Sequence, residues 1–376
     1  MRRLLLPLLL LPIAACSFLP QRAKDIRYAI WVTRWDYGTE ADVRDVIKNC
    51  AKAGFDTVLF QVRGNGTVFY RSRIEPWAEQ FDYRDPGFDP LWVACDEARM
   101  QGVQVHAWVN ALPAWRGAEP PEYERHLFHT RPEWFMVDQD KRRQSLKADY
   151  YVVLNPCLPA VRDHIASVCE EIARNYGVAG VHLDYIRFLE PEAGHDYPYD
   201  YTTLRLYRDA TGKAPADDVV AWDNWRSEQV TELVREIRRR LRVANRRCVL
   251  TAAVFSTPEK ATSVHQDWVH WLRTGVVDAA FPMNYDTDDR RFLERIKIEA
   301  EAAHGMPIVV GIGVHKHADP AQTLRQMEMV KEAGMQGCSL FAYSSFFKPG
   351  PMAVKVEEAS LRTTRRQRIL RKVQGR

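Results

Sequence analysis

Val178-Ala-Gly-Val-His-Leu-Asp-Tyr-Ile-Arg-Phe188 is an apolar run that ends in a carboxylate, a phenol and a guanidinium. Val178, Val181 and Leu183 indicate a short strand buried on both faces, which is typical of parallel sheets covered by helices. In barrels of alternating strands and helices, functional side chains lie at the C-terminal ends of the strands. Asp184 ends this strand, so it is the first candidate for a functional residue.

The rest of the chain repeats this pattern, with apolar runs rich in valine, isoleucine and aromatic residues followed by amphipathic stretches. Eight strands are predicted, at residues 28–33, 57–62, 103–109, 178–183, 249–255, 277–283, 308–314 and 338–343. We therefore predict an α/β fold, a (β/α)8 TIM barrel over residues 26–362. A doubly wound open sheet is the alternative, although no dinucleotide-binding fingerprint opens the chain.

Residues 113–154 interrupt the alternation of strands and helices. Proline, charged and aromatic residues mix there without a clear period. Segments of this length without regular structure are uncommon unless they have a function. We expect a long insertion after predicted strand three, lying over the catalytic face of the barrel as a wall or lid.

The first residues have the layout of an export signal. Two arginines precede an apolar run at residues 4–11, which is too short to remain as a membrane-spanning helix. Ile13-Ala-Ala-Cys16 resembles the lipobox of bacterial lipoproteins. We expect a lipoprotein signal peptide at 1–15, lipidation of Cys16 and a tether at 16–25, with the protein anchored at the outer membrane and facing the periplasm. A plain secretory signal is the alternative.

The net charge and the cysteine content limit which binding partners, metal sites and disulfides we expect. The formal net charge is +4, and it falls to +2 without the two arginines of the signal, so the composition does not indicate a nucleic-acid partner. Residues 363–376 concentrate positive charge, and we predict a basic C-terminal tail, solvated rather than bound to anionic lipid or cell-wall polymer. The six cysteines after Cys16 lack metal-binding spacing, and at most one disulfide is expected.

The ends of the predicted strands combine carboxylates, planar hydrogen-bond donors and aromatic rings. The candidate substrate-binding residues are Trp35, Arg63, Asn110, Tyr185, Arg187, Asn284, Tyr285 and Tyr343. Aromatic rings cover the apolar faces of sugar rings, while amide and guanidinium groups bind sugar hydroxyls. This mixture favours a polysaccharide ligand, and no cofactor is expected.

Asp184 and Asp286 are the best-placed pair for glycoside hydrolysis, at the ends of predicted strands four and six. This reaction typically uses one carboxyl group to protonate the leaving oxygen and another to attack the sugar or activate water. Arg63 or Arg187 beside Asp184 would keep it ionised, as a nucleophile or base requires. A more enclosed Asp286 would hold a proton for the acid role.

Both carboxylates have structural alternatives. Asp184 and Arg187 can form an ion pair that braces the loop, and an aspartate after a strand, such as Asp286, is also an ordinary turn or N-cap residue. Glu190 and Asp36 are reserve acids. A mechanism that uses the acetamido group of the substrate needs a single enzyme acid, and Asp184 alone satisfies it.

Three histidines raise the alternative of a metal site with Asp184. His106, His182 and His315 lie in or at the ends of predicted strands, but no HxH or HxxxH cluster accompanies them. Zinc ligands usually cluster in sequence, so no metal is predicted. A metal-dependent polysaccharide deacetylase would require these side chains to converge on one ion.

Four motifs follow one another along the chain: Gln61-Val-Arg-Gly-Asn-Gly66, His106-Ala-Trp-Val-Asn110, Gly180-Val-His-Leu-Asp-Tyr-Ile-Arg-Phe188 and Pro282-Met-Asn-Tyr285. Together they resemble the family 10 glycosylhydrolase-like proteins, over residues 27–347. The resemblance implies a (β/α)8 barrel and glycan hydrolysis, and some lipoprotein members resemble enzymes that cut peptidoglycan strands. It maps the family's strand-four acid onto Asp184, its strand-two arginine onto Arg63 and its strand-three asparagine onto Asn110.

Two positions depart from that family pattern. Many members carry two adjacent acids where this chain has Asp184 and Tyr185, and many carry an aromatic residue where it has Asp286. Our hypothesis is an envelope-anchored glycoside hydrolase of peptidoglycan glycan strands, in contact with the membrane through acylated Cys16. A catalytically inactive carbohydrate-binding lipoprotein and a metal-dependent deacetylase are the alternatives.

Overall fold

The computed structural model describes residues 23–190, 194–350 and 357–374. The predicted signal peptide and Cys16 lie outside these residues, as does most of the predicted tether. None of the helices in these residues combines the length and the apolar character that crossing a membrane requires.

Parallel strands form a closed ring. The strands are β1 (Tyr28–Val32), β2 (Thr57–Gly64), β3 (Thr67–Val68), β4 (Gln104–Asn110), β5 (Pro113–Gly117), β6 (Lys147–Val153), β7 (Gly180–Asp184), β8 (Val249–Val254), β9 (Ala279–Asn284), β10 (Val309–Ile312) and β11 (Gly337–Leu340). Within the described chain, the ring order is β1-β2-β4-β7-β8-β9-β10-β11, and β11 pairs back to β1. The predicted (β/α)8 barrel is confirmed.

Helices surround the ring. They are α1 (Glu40–Ala53), α2 (Pro90–Gln101), α3 (Leu127–Thr130), α4 (Pro159–Asn175), α5 (Tyr201–Thr211), α6 (Val219–Ala244), α7 (Pro258–Thr262), α8 (Trp268–Arg273), α9 (Asp289–Ala303), α10 (Pro320–Glu332) and α11 (Ala359–Val373). Capping residues determine where the helices begin and end. Thr39 and Asp42 cap the start of α1 reciprocally, and Gly54 ends it in the left-handed conformation, at φ +90°.

The main core lies between the ring and the helices. Val181 and Leu183 of β7 share it with Val161 and Ile165 of α4. Each fully buried valine, leucine or isoleucine contributes about 1.5–3 kcal/mol relative to an exposed one. Cysteines belong to this core as well: in the described chain all six are free thiols, and five of them are buried.

The interior of the barrel is packed with aromatic side chains below its C-terminal mouth. Trp108 and Asn110 of β4 are in register with His182 and Asp184 of β7, and side chains alternate along a strand, so all four point inward. Trp31 Nε1 donates to His182 Nε2 at 3.2 Å. Because these rings fill the interior, a ligand reaches Asp184 only from the C-terminal face.

The insertion after β4 is an antiparallel hairpin of β5 and β6 with α3 between them. The Leu154 amide donates to the Leu112 carbonyl at 2.9 Å and joins the two ends of the insertion, and the Ala111 amide just before it donates to the Asp184 carbonyl of β7 at 2.7 Å. The Tyr151 ring of the insertion lies 5.2 Å from the Tyr185 ring, beyond the end of β7. The predicted insertion after strand three is therefore present and reaches the mouth of the barrel.

The C-terminal residues differ from the prediction. The expected boundary at residue 362 falls inside α11, and the residues expected to form a basic tail continue this helix to Val373. Arg365 and Ile369 are buried, and Arg365 Nη2 donates to the His317 carbonyl at 2.6 Å. Residues spaced by four lie on one helical face, so this face packs against α1 and α10.

Candidate active site

Asp184 lies at the inner edge of the barrel mouth. It is 7% exposed, and its backbone carbonyl accepts the Ala111 amide at 2.7 Å. Its register partner Asn110 points to the same side of the sheet. Asn110 Oδ1 is buried and has no hydrogen-bond partner among the described residues. The pair therefore presents a carboxyl and an amide to a ligand.

The backbone after Asp184 is strained. Tyr185 has a φ of +50°, and bulky residues rarely adopt this left-handed conformation because it costs roughly 1–2 kcal/mol. The conformation turns the Tyr185 amide onto Asp184 Oδ1 at 2.7 Å. It also places the Tyr185 ring against Tyr151 of the insertion and the Arg187 guanidinium. This strain fixes the direction of the Asp184 carboxyl.

The surroundings of Asp184 favour its protonated form. Burial raises the pKa of Asp184, while Arg187, the Tyr185 amide and the indole of Trp108 oppose that rise without cancelling it. Arg187 acts at a distance, since the two side chains make no ion pair. The alternative of a bracing ion pair is therefore wrong. Arg187 lowers the pKa of Asp184 as expected, but by less than burial raises it.

Arg187 is held between two aromatic rings near the end of β7. Its guanidinium lies 4.8 Å from the Tyr185 ring centre and 4.4 Å from that of Phe255. Nη1 donates to the Phe188 carbonyl at 3.3 Å, and the buried Nε has no partner in the described chain. A planar donor fixed between two rings is suited to binding sugar hydroxyls.

Tyr285 approaches Asp184 from the loop after β9. Its ring contacts Trp31, His315 and Phe341, at 6.4, 5.9 and 5.6 Å between centres. Burial raises the pKa of Tyr285, and the Asp184 carboxyl, when it is ionised, raises it further. The phenol therefore stays protonated and serves as a hydrogen-bond donor near Asp184.

Asp286 does not have the predicted acid role. Arg291 Nη2 and Arg295 Nη2 of α9 each lie 3.1 Å from its carboxylate, and the Asp288 amide donates to it at 2.8 Å. Burial alone would raise the pKa of Asp286, but these partners lower it below its usual range. Asp286 is an ionised turn residue that joins the loop to α9, which is the structural alternative.

Arg63 is a structural residue, so its predicted contact with substrate is wrong. It is 0% exposed, and its Nε and Nη2 donate to Glu75 at 2.8 and 2.7 Å. Its Nη1 donates to the carbonyls of Asn110 and Ala111. Burial raises the pKa of Glu75, but Arg63 and His164 outweigh it and bring that pKa to about 2. This clamp holds the end of β4.

Two other candidates point away from the barrel mouth. Asn284 is buried and donates from Nδ2 to the Phe292 carbonyl of α9 at 3.0 Å. Tyr343 is buried, with its hydroxyl accepting from Asn49 Nδ2 of α1 at 2.9 Å. Their predicted substrate contacts are wrong. Trp35 lies half-buried at the end of β1, with its ring 4.8 Å from the Arg34 guanidinium, and its role stays a prediction.

The reserve acids and the histidines are also engaged elsewhere. Asp36 accepts from the amide and hydroxyl of Thr33, and burial raises the pKa of Asp36 to about 6. Glu190 is exposed and pairs with Lys260 at 2.5 Å. The deacetylase alternative requires His182 to bind metal, yet Trp31 and Thr251 occupy both of its ring nitrogens.

Sequence reasoning missed the aromatic residues that enclose Asp184 from other segments. Trp108 and Phe341 rise from the ring interior, Phe255 follows β8, and Tyr151 comes from the insertion. The inward register of Trp108 follows from that of Asn110, two residues later, so it was available from the alternation along β4. No such signal exists for Tyr151, because the insertion lacks a clear period.

Comparisons with known proteins agree with this architecture. The glycosyl hydrolase YngK of Bacillus subtilis is 23% identical over 280 residues, 68% of this chain and 51% of that protein. The glycosyl hydrolase DigH of Escherichia coli K12 is 30% identical over 199 residues, 51% of this chain and 42% of that protein. This chain therefore spans about half the length of these relatives or less.

Solved structures share the fold at low sequence identity. The PgaB (BpsB) glycoside hydrolase domain of Bordetella bronchiseptica superposes with a TM-score of 0.65, at 14% identity, over 84% of this chain and 94% of that chain. The catalytic domain of a β-amylase from Paenibacillus polymyxa gives a TM-score of 0.61 at 9% identity, over 94% and 100% of the two chains. The sequence profile of glycosyl hydrolase-like 10 matches residues 25–319, and the chain belongs to this family.

Proposed function

We propose that the protein is a glycoside hydrolase that cleaves the glycan strands of peptidoglycan. The observation that carries this proposal is Asp184, a carboxyl with a raised pKa at the barrel mouth, surrounded by an amide, a guanidinium and aromatic rings. A carboxyl whose pKa is raised keeps its proton to higher pH, which suits it to protonate a glycosidic oxygen. The glycosidase-type function of the family supports the same reaction class.

We propose a mechanism with a single enzyme acid. Asp184 donates its proton to the glycosidic oxygen, and the bond from that oxygen to the anomeric carbon breaks. The carbonyl oxygen of the 2-acetamido group attacks the anomeric carbon and forms a cyclic oxazolinium ion. Water then adds to that carbon, the bond from the acetamido oxygen to it breaks, and a proton of the water passes to Asp184. This route suits a site in which the groups acting on Asp184 include no second carboxyl.

The neighbouring groups have distinct proposed roles. Tyr285, a protonated phenol, donates to the acetamido group, which must be turned toward the anomeric carbon. Asn110 binds a hydroxyl through its unpartnered Oδ1. Arg187 orients the sugar through donors fixed between two rings. Positioning of this kind supplies a large share of catalysis.

The test uses purified peptidoglycan glycan strands and the release of reducing ends. The wild type is expected to release them, and Asp184→Asn to release them about 10²–10⁴-fold more slowly, because a general acid contributes that much. Asp286→Asn is the matched control. It should keep its activity and lose at most about 1 kcal/mol of stability, since its ion pairs are partly exposed. A wild type without reducing ends, or an active Asp184→Asn, contradicts the proposal.

We also propose attachment to the outer membrane through acylated Cys16, facing the periplasm. The lipobox-like Ile13-Ala-Ala-Cys16 supports it. Several acyl chains hold a protein on a bilayer, whereas one alone binds marginally. Cells fed labelled palmitate should incorporate the label in the wild type but not in Cys16→Ser, which should move to the soluble periplasmic fraction. Equal membrane recovery of both proteins contradicts the proposal.

A catalytically inactive carbohydrate-binding protein is the second candidate. The observation in its favour is the diversion of Asp286 into ion pairs with α9, which leaves Asp184 without the predicted partner acid. Such a protein would bind glycan strands as tightly as its Asp184→Asn variant does and release no reducing ends. The same assay therefore separates the two candidates.

A further inference from the structure

A second cavity lies beside the candidate active site. It has a volume of about 640 Å³, within the range of roughly 300–1,000 Å³ typical of ligand sites. We call it the side pocket and define it by six of its lining residues: Met136, Tyr150, Phe188, Asn224, Ser263 and His265. The mechanism proposed above uses none of them.

The side pocket and the active site share two walls. Tyr150 and Tyr151 are consecutive residues of β6, and side chains alternate along a strand, so they face opposite sides. Tyr151 faces Tyr185 at 5.2 Å, while Tyr150 lines the side pocket. Phe188 is four residues beyond Asp184 in the same loop. A chain of sugars leaving Asp184 across this loop therefore meets the side pocket next.

His265 is held in the side pocket in a strained conformation. Its φ is +59°, in the left-handed region that residues other than glycine rarely adopt. Its Nδ1 lies 2.9 Å from Ser227 Oγ, and its ring lies edge-on to Phe188 at 4.8 Å. Strain of this kind persists only where the surroundings enforce it, and it concentrates at functional sites.

The hydrogen bonds around His265 leave one nitrogen for a ligand. Ser227 Oγ donates to the Asp223 carbonyl at 3.0 Å, which assigns the imidazole proton to Nδ1 of His265. Burial lowers the pKa of His265 to about 4, so the ring is neutral. Nε2 then carries a lone pair, has no partner in the described chain and accepts a hydroxyl or amide proton.

The charge of the side pocket argues against an anionic ligand. Four carboxylates line it, from Glu190, Asp196, Asp223 and Glu259. Among the described residues that line it, the guanidinium comes from Arg226 and is already paired with Asp196 and Asp223. A phosphate or a sugar acid would meet net negative charge there, whereas a neutral ligand would not.

We infer that the side pocket binds a neutral N-acetylated sugar of the same glycan chain, remote from the bond that is cleaved. Met136 and Phe188 offer an apolar floor for the methyl group and the ring face, while Tyr150, Asn224 and His265 offer hydrogen-bonding groups. This inference rests on the proposed function for its ligand class. It adds a distal binding site that extends the active site.

The test measures binding of β-1,4-linked N-acetylglucosamine hexamer and dimer by calorimetry, with every protein carrying Asp184→Asn to prevent turnover. Asn224→Trp fills the side pocket from an exposed helix position. It should raise the Kd of the hexamer at least tenfold and leave that of the dimer unchanged. Val243→Trp is the matched control, because Val243 is 70% exposed on the same helix and does not line the side pocket.

A second variant removes the imidazole of His265 but leaves the left-handed backbone conformation at this position in place. His265→Asn keeps a residue that tolerates the left-handed conformation. It should raise the Kd of the hexamer several-fold, and circular dichroism should show an unchanged fold. Hexamer binding that is equal in Asn224→Trp, His265→Asn and Val243→Trp overturns the inference.

The outcomes also separate this inference from the proposed function. Pocket-dependent binding of the hexamer by a wild type that hydrolyses no glycan supports the side pocket and contradicts the hydrolase. Hydrolysis of glycan strands by Asn224→Trp with the wild-type KM supports the hydrolase and contradicts the side pocket. In an active enzyme, the expected result is a raised KM for long strands with kcat unchanged.

Discussion

Asp184 and Asp286 show how the surroundings of a carboxyl determine its pKa. Both follow parallel strands and both are 7% exposed. Burial raises the pKa of Asp184 more than one distant guanidinium, a backbone amide and an indole lower it, whereas two arginines and a backbone amide bring the pKa of Asp286 below its ordinary value. From the sequence, we predicted the opposite assignment. It was wrong because Arg291 and Arg295 approach Asp286 from the next helix, which no local motif reveals.

The pH dependence of activity should follow Asp184. As the proposed acid it is active when protonated, so activity should fall as pH rises through its raised pKa. The positive charge of Arg187 lowers that pKa, and Arg187→Gln should therefore move the falling limb of kcat to higher pH. Measured kcat against pH for both proteins checks this. A limb that stays in place, or moves down, contradicts the role of Asp184 as acid.

Glu299 is a buried carboxyl without a hydrogen-bond partner among the described residues. It is 0% exposed on α9, and both of its oxygens lack hydrogen bonds within the described chain. Burial raises its pKa well above the ordinary value of 4.5, and the nearby Arg295 only partly opposes this. A raised pKa in the folded state means that stability is greatest below pH 4.5 and is lost as pH rises through the folded value.

Glu299→Leu should therefore stabilise the protein at high pH. The expected gain at pH 8 is about 1–3 kcal/mol, the penalty of an unsatisfied buried group. The gain should shrink toward pH 4, where the wild-type carboxyl is protonated. Urea unfolding at both pH values measures it. A variant that is less stable than the wild type at pH 8 shows that the carboxyl has a partner that stabilises it.

At the scale of elements, the alternation of side chains predicts which way a residue points only where the pairing of its strand is regular. β4 and β7 are paired without interruption, so the inward position of Asn110 follows from that of Asp184. In β2 the pairing with β4 shifts between Gln61 and Arg63. Such an irregularity redirects the following side chains, and Arg63 turns to Glu75 instead of the barrel mouth.

The clamp of Arg63 and Glu75 should contribute to stability by pairing two buried charges. Arg63→Met leaves the buried Glu75 carboxyl with a hydrogen bond to His164 but without its arginine partner, and about 3–5 kcal/mol should be lost. The double variant Arg63→Met, Glu75→Leu removes both charges and should recover most of this loss. Urea unfolding at pH 7 compares them. A double variant as unstable as Arg63→Met shows that the arginine acts through the β4 carbonyls instead.

At the scale of the whole molecule, α11 completes the outer layer. It packs against α1 and α10, with Ile369 and Val373 buried and Lys372 paired to Glu328 of α10. The composition of this segment suggested a solvated tail. The prediction was wrong because the spacing of its few apolar residues gives the helix one apolar face, and this face packs on the barrel despite the many charges.

Deleting residues 359–376 should lower the Tm by several degrees, because it exposes apolar faces of α1 and α10 that α11 covers. Deleting only 375–376 is the control and should leave the Tm unchanged. Thermal unfolding followed by circular dichroism measures both. An unchanged Tm after the longer deletion means that α11 adds nothing to the barrel.

The sequence by itself determined the barrel, its strand order, the insertion after the third strand of the ring and the position of Asp184 at a strand end. These features depend on hydrophobic period and chain order, which are local properties of the sequence. The tertiary structure alone decided which strand-end residues face the mouth. Tyr285 and Arg187 do, whereas Arg63 and Asn284 do not. The physical reason is that side chains alternate along a strand, so a shift of one residue turns a side chain from the ligand to a helix.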